Sequence, residues 1–259
     1  FAWRWRKTRN GDYLQAIHEF DLIRLRDLLF IERQKEIIER NTKQFLAGLP
    51  ANNVLLWGPR GTGKSSLIKA LFNDYCEHGL RLVEIEKAFL IDLPEIVARL
   101  KNTKNQYIVF CDDLTFDEND SSYRVLKTIL DGSLLSGSNS LIYATSNRRH
   151  LLPEYNFENK GSKILDDELH HSEGVEEKIS LSERFGIWLS FHPYGQKDYL
   201  DIVSHWILFF RPNATSSELE DARQPALQWA LERGSRSGRT AFQFARDWSG
   251  GQGLEAIRN

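Results

Sequence analysis

Apolar and polar positions change period several times along the chain, and each change marks an element. Val54 to Trp57 is a short apolar run that reads as a buried strand, after which Leu67, Ile68, Leu71, Phe72 and Tyr75 recur at helical spacing. Arg81 to Glu86 is a second strand candidate. It precedes Asp92-Leu93-Pro94-Glu95, where a capping Asp, a first-turn Pro and an acid three places on predict a helix continued by Ile96, Val97 and Leu100. Tyr107 to Cys111 is a further apolar run, Leu126, Ile129 and Leu130 mark a helix, and Ser140 to Ala144 and Ile187 to Phe191 complete the strands. Strands alternating with helices predict an α/β fold, a parallel sheet with helices on both faces. Glu32 to Leu49 reads as a polar helix closed by Gly48 and Pro50. Beyond Pro193 only helical spacing remains, first through Tyr199, Ile202, Val203, Trp206, Ile207 and Phe210, then through Ala241, Phe244, Ala245 and Trp248. The expected organisation is an N-terminal segment over 1–20, an α/β domain over 21–193 and a small helical domain over 194–259.

Between the first strand and its helix stands Gly58-Pro59-Arg60-Gly61-Thr62-Gly63-Lys64-Ser65, which fits the phosphate-binding pattern G-x-x-x-x-G-K-[ST] in the strand-to-helix setting that pattern requires. The glycines let backbone N–H groups converge on phosphate oxygens, the helix N-terminus adds partial positive charge, and Lys64 supplies a full one. Ser65 is placed to hold Mg²⁺, and Ser66 continues the loop into the helix. The run Tyr107 to Cys111 ends in Asp112-Asp113, at the strand end where open parallel sheets place ligands. Asp112 suits a Mg²⁺ partner, and Asp113 suits orienting or deprotonating a water, since phosphoryl transfer needs mainly positioning and charge stabilisation.

Composition narrows the partners. With 34 Lys plus Arg against 36 Asp plus Glu, the net charge of -2 gives no global basic field for nucleic acid. Phe1 to Arg9 mixes Phe1, Trp3 and Trp5 with Arg4, Arg6, Lys7 and Arg9; stacking on bases is one reading, and docking on the protein's own core or a neighbouring subunit is the stronger one. The two cysteines, Cys76 and Cys111, suggest neither a disulfide framework nor a zinc site, and no apolar run has the length of a membrane span, so a cytoplasmic protein is expected. Residues 154–178 form a polar stretch longer than an ordinary connection, a candidate mobile or partner-binding insertion. His170 and His171 near Asp166, Asp167 and Glu168 are a weak metal-site candidate, and no metal beyond Mg²⁺ is expected.

The ordered motifs resemble those of the AAA+ ATPases, a group of P-loop NTPases, over most of the chain. The phosphate loop and Asp112-Asp113 resemble Walker A and Walker B. Ala144-Thr145-Ser146-Asn147 is similar to the sensor 1 strand end, which implies that Asn147 helps hold the attacking water or terminal phosphate. Ser182-Glu183-Arg184-Phe185-Gly186 resembles the arginine-finger segment, implying that Arg184 reaches a neighbouring subunit's nucleotide in a homo-oligomer. Gly238-Arg239-Thr240-Ala241 opens a helix in the manner of sensor 2, implying a phosphate contact from Arg239 on a helical lid; Arg148 and Arg149 are second choices for the subunit interface and Arg236 for the lid. The segments Pro50 to Gly58, Ala144 to His150 and Ser180 to Gly186 look like a bacterial AAA+ family of predicted ATP-binding proteins of unknown function.

The resemblance implies ATP and Mg²⁺ as cofactors and ATP hydrolysis acting on a protein or DNA client. Asn159-Lys160-Gly161-Ser162 lacks the acid of the guanine-reading N-K-x-D motif. Asp113 stands where most relatives carry Glu and is one methylene shorter, which fits slow hydrolysis. Two alternatives fit the same loop: a nucleotide-gated switch with negligible turnover, and a small-molecule kinase, for which no acceptor-pocket signature is visible.

Overall fold

The computed structural model describes residues 1–9, 11–18, 22–101, 103–116, 120, 122–132, 139–149, 151 and 181–258, with side chains to residue 253. The polar stretch 154–178, with Asn159 to Ser162 and the His170-His171 neighbourhood, lies outside the described residues, as do Asp117 and Glu118, acids that follow Asp112-Asp113 closely enough in sequence to be candidate helpers. These residues divide into two compact units, one of 1–25, 33–58 and 65–190 and another of 26–32, 59–64 and 191–259.

The first unit is built on one seven-stranded sheet. Its strands are β1 (Ala2–Thr8), β2 (Gly11–Ala16), β3 (Val54–Trp57), β4 (Leu80–Ile85), β5 (Gln106–Cys111), β6 (Ser140–Ser146) and β7 (Ile187–Ser190), in the order β2-β1-β4-β5-β6-β3-β7. All pairings are parallel except the β1–β2 hairpin. Helices α1 (Glu32–Leu46), α2 (Lys64–Tyr75), α3 (Leu93–Lys101) and α4 (Ser122–Leu130) provide the cover.

The alternation along the strands shows which residues meet which helices. Val83, Ile85, Tyr107, Val109, Cys111, Ile142 and Ala144 join Leu93, Ile96, Val97 and Leu100 of α3 and Leu126 and Ile129 of α4 in one buried cluster. Tyr143, one residue out of phase, points to the opposite face, where its hydroxyl pairs with Asn41 Nδ2 at 3.0 Å and Thr42 Oγ1 at 2.8 Å on α1. Asn41 also exchanges two 2.9 Å hydrogen bonds with the backbone of Asn52, which sets the chain's entry into β3.

The predicted strands and helices of the α/β region are present, with ends shifted by up to three residues, the largest shift being the end of α1 at Leu46 instead of Leu49. One local reading is made specific and one is corrected. The N-terminal segment is a pair of strands, with Trp5 fully buried and each basic residue of β1 held by an acid: Arg4 by Glu84 at 2.6 Å, Arg6 by Glu86 at 2.7 Å and Lys7 by Asp92 at 2.9 Å. Arg4 and Glu84 are cross-strand neighbours, so the pair also fixes register. Docking on the protein's own core is thus the observed state, and the cations are engaged within the chain. Asp92 does not open α3 as a free cap; it ends a 3-10 turn, Lys87–Asp92, and its carboxylate accepts Trp5 Nε1 at 3.1 Å.

The second unit is helical: α5 (Gln196–Phe210), α6 (Ser216–Asp221), α7 (Arg223–Glu232) and α8 (Gly238–Arg258). Tyr199, Val203, Ile207, Ala226, Ala241, Phe244 and Ala245 are buried, and the Tyr199 hydroxyl donates to Ala226 O at 3.1 Å. Thr215 and Glu218 form a reciprocal capping box at the start of α6. Among the described residues, no helix is long and apolar enough to cross a membrane.

Candidate functional site

Strand register assembles the acids. Cys111 lies opposite Ala144, and Trp57 opposite Ser146, so Asp112-Asp113, Thr145 to Asn147 and Gly58 all leave the carboxyl edge of three adjacent parallel strands. Gly58 N–H donates to Ser146 O at 3.2 Å and Leu114 N–H to Thr145 O at 2.7 Å, which extends the sheet pairing into the loops.

At this edge Ser65, on the first turn of α2, donates its hydroxyl to Asp112 Oδ1 at 2.6 Å, and Thr145 Oγ1 donates to the same oxygen at 2.5 Å. Asn147 Nδ2 donates to Asp113 Oδ1 at 2.5 Å. Asp113 has φ +51, a left-handed conformation that Asp tolerates better than most residues, and its N–H donates to Thr145 Oγ1 at 2.9 Å. Both acids are exposed, while Cys111 immediately before them is fully buried, its thiol pushed up to about 12 by burial and by the neighbouring Asp112 charge. Ser65, Asp112, Asp113 and Asn147 are therefore brought together. Thr145, read in the sequence only as part of a motif, is the additional residue that joins the two acids; a hydroxyl directly opposite the first acid in register is the signal for it.

Arg184 is half-buried, and its Nε donates to Asp131 at the end of α4. The structure thus ties it to an acid of its own chain.

In the second unit, Pro59 to Lys64 are packed on the helical residues. Gly61 has φ +74, and its carbonyl accepts the Gly238 N–H at 2.8 Å, satisfying one donor of the α8 N-terminus. Ser237 caps α8, accepting the Thr240 N–H at 3.2 Å. Tyr194 donates to Thr62 O at 3.0 Å, and burial, then Glu32 and Asp198, raise its pKa to about 12. Lys64 is buried with Nζ on Pro59 O at 2.8 Å. Arg60 and Arg239 are exposed, with Arg239 at the second position of α8.

A family model described as a protein of unknown function (DUF815) matches residues 1–252. The chain belongs to this family. Solved structures place the DUF815 chain in the AAA+ fold. RuvB of Thermotoga maritima, described as a Holliday junction branch migration motor, aligns with a TM-score of 0.51 at 14% identity over 83% of this chain and 59% of its own. The ORC1 protein of Aeropyrum pernix in complex with DNA gives 0.55 at 16% identity, covering 83% and 58%. The FIGL-1 AAA domain in complex with ADP gives 0.54 at 18% identity, covering 87% and 72%. Among curated proteins, the replication factor C large subunit of Ignicoccus hospitalis is 39% identical over 54 residues, 20% of this chain and 11% of that protein. The DUF815 chain thus spans a small part of that curated relative and about three-fifths of the RuvB and ORC1 chains.

Proposed function

We propose that this chain binds ATP with Mg²⁺ and hydrolyses it to drive a conformational change on a macromolecular client. The observation that carries the reading is the 2.6 Å contact between Ser65, next to the loop lysine Lys64, and Asp112 at the end of β5. A hydroxyl and a carboxylate are hard oxygen donors, and Mg²⁺ is commonly held by one or two such groups together with substrate phosphates, so these two residues fit it. Among the described residues no cluster of three or more His, Cys, Asp or Glu forms an all-protein metal cage. Bound there, the ion would neutralise charge on the phosphates.

In this reading Gly58 to Ser66 cradle the phosphates through backbone N–H groups, with the positive charge of Lys64 beside them. Asp113, held by Asn147, orients a water and accepts its proton as the water attacks the terminal phosphorus and the bond to ADP breaks. Arg184 stabilises the transferring group across a subunit interface, and Arg239 acts from the lid. The client is protein or DNA; the engagement of Arg4, Arg6 and Lys7 by acids of the same chain removes the β1 cations as support for DNA. Two free cysteines, one of them buried, fit a reducing cytoplasm.

The test is ATP hydrolysis against protein concentration, with mass by light scattering with and without ATP and Mg²⁺. Activity that rises with assembly and collapses in Arg184→Ala, while ATP binding persists, is the expected result. A second reading, a nucleotide-gated switch, is favoured by the short side chain of Asp113 on its left-handed backbone; tight ATP binding by an inactive monomer is the result that selects it.

A further inference from the structure

Thr145 is the penultimate residue of β6, beside the central strand β5, with 1% of its surface exposed, and its one hydroxyl serves both acids. The proton goes to Asp112 Oδ1 at 2.5 Å, and the oxygen accepts the Asp113 N–H at 2.9 Å. Its carbonyl accepts the Leu114 N–H at 2.7 Å, so three successive residues are bonded to one. A hydroxyl has one proton to give and two lone pairs to receive with, so these bonds use its donor and one acceptor position. The bond to a carboxylate is charge-assisted and directional. Asp112 Oδ1 therefore receives two donors, Ser65 and Thr145, which fix the rotation of the carboxylate. The bond to the Asp113 N–H helps hold that residue at φ +51, from which its side chain meets Asn147.

We infer that Thr145 is a positioning residue of the nucleotide site, setting the Asp112 carboxylate and the Asp113 backbone together through one hydroxyl. The inference rests on the ATP-binding reading. Valine at this position keeps the branched shape and loses both bonds, whereas serine keeps the hydroxyl and loses only a methyl.

The experiment compares Thr145→Val and Thr145→Ser with the parent chain, measuring thermal midpoint, affinity for a fluorescent ATP analogue with and without Mg²⁺, and ATP turnover. For Thr145→Val we expect the half-saturating Mg²⁺ to rise and kcat to fall by about 10- to 100-fold each, with Mg²⁺-free affinity within about two-fold of the parent, because orienting partners of metal ligands carry effects of that size. Thr145→Ser restores both. If Thr145→Val does not fold, Thr145→Ser carries the test alone: a Mg²⁺ response like the parent's upholds the role, and a loss of about ten-fold at unchanged midpoint overturns it. A parent that binds Mg²⁺ and ATP while a folded Thr145→Val matches it overturns this inference alone. A parent that binds no nucleotide overturns the ATP-binding reading and this inference with it.

Discussion

Asp113 and Asn147 meet across the ends of two neighbouring parallel strands, the Asn147 amide donating to Asp113 Oδ1 over 2.5 Å. The contact depends on backbone as much as on side chain. From φ +51 the Asp113 carboxylate is directed to the β6 end, and Thr145 secures that turn through the Asp113 N–H.

Asparagine also accepts the left-handed region, so Asp113→Asn is expected to fold like the parent. In the proposed hydrolysis it removes the carboxylate that would accept the water's proton, and general-base losses of this kind cost about 100- to 10,000-fold. Turnover should therefore fall by that order, with the dissociation constant for ATP and Mg²⁺ unchanged by calorimetry. A parent whose phosphate release is already at the level of Asp113→Asn would remove the hydrolytic reading and leave the switch.

Gly61 and Gly48 separate two costs of replacing glycine. Both have positive φ, +74 and +71, but a Cβ on Gly61 would stand 2.6 Å from Ser237 Cβ, whereas one on Gly48 meets nothing within 4 Å. Gly48→Ala should cost about 1–2 kcal/mol of left-handed strain. Gly61→Ala adds displacement of Ser237, whose cap on Thr240 is worth about 1 kcal/mol, so a total of roughly 2–4 kcal/mol is expected. Urea titrations of both variants check the ordering; equal losses would mean that Ser237 gives way freely.

Trp5 should contribute far more to the N-terminal hairpin than the ion pairs beside it. Its side chain is fully buried, with Nε1 on Asp92 and the Arg99 guanidinium over its ring. Trp5→Ala is expected to cost about 3–5 kcal/mol. Arg4 is 39% exposed in its pair with Glu84, so Arg4→Ala should cost no more than about 1 kcal/mol. Denaturation midpoints decide, and a large loss in Arg4→Ala alone would reverse the assignment.

Much of this was legible because the signals are local. The phosphate loop is contiguous, and the apolar runs at Val54 to Trp57 and Tyr107 to Cys111 each fill a buried strand. The β1 strand was missed although Trp3 and Trp5 alternate with Arg4 and Arg6, because the acids that neutralise those cations are about 80 residues away. Asp92 was misread for the same reason: capping is inferred from neighbours, while its actual partners, Trp5 and Lys7, come from β1. Asn52, noted only as part of a family-like segment, has a structural task. It exchanges bonds with Asn41 and lies so close to Gly186 that a Cβ there would approach its Oδ1 to 2.3 Å. The Thr145 bridge needed strand register, which periodicity alone does not supply.

Cys111 offers a readout of the same strand end through its thiol. Burial, followed by the Asp112 charge, raises its pKa from 9.0 to about 12, so the folded state keeps a proton that the unfolded chain releases. This contribution to stability is complete below the unfolded pKa and is lost as pH rises from there toward the folded value. In that interval stability should fall by about 1.4 kcal/mol per pH unit for this one proton, and Cys111→Ala should remove that part of the slope. Cys76 is only half-buried, so a thiol reagent at pH 8 should modify Cys76 in the native protein and reach Cys111 only on unfolding. Rapid native-state labelling in a Cys76→Ala variant would mean that the end of β5 opens to solvent, and the fixed geometry of Asp112 and Asp113 would have to be given up with it.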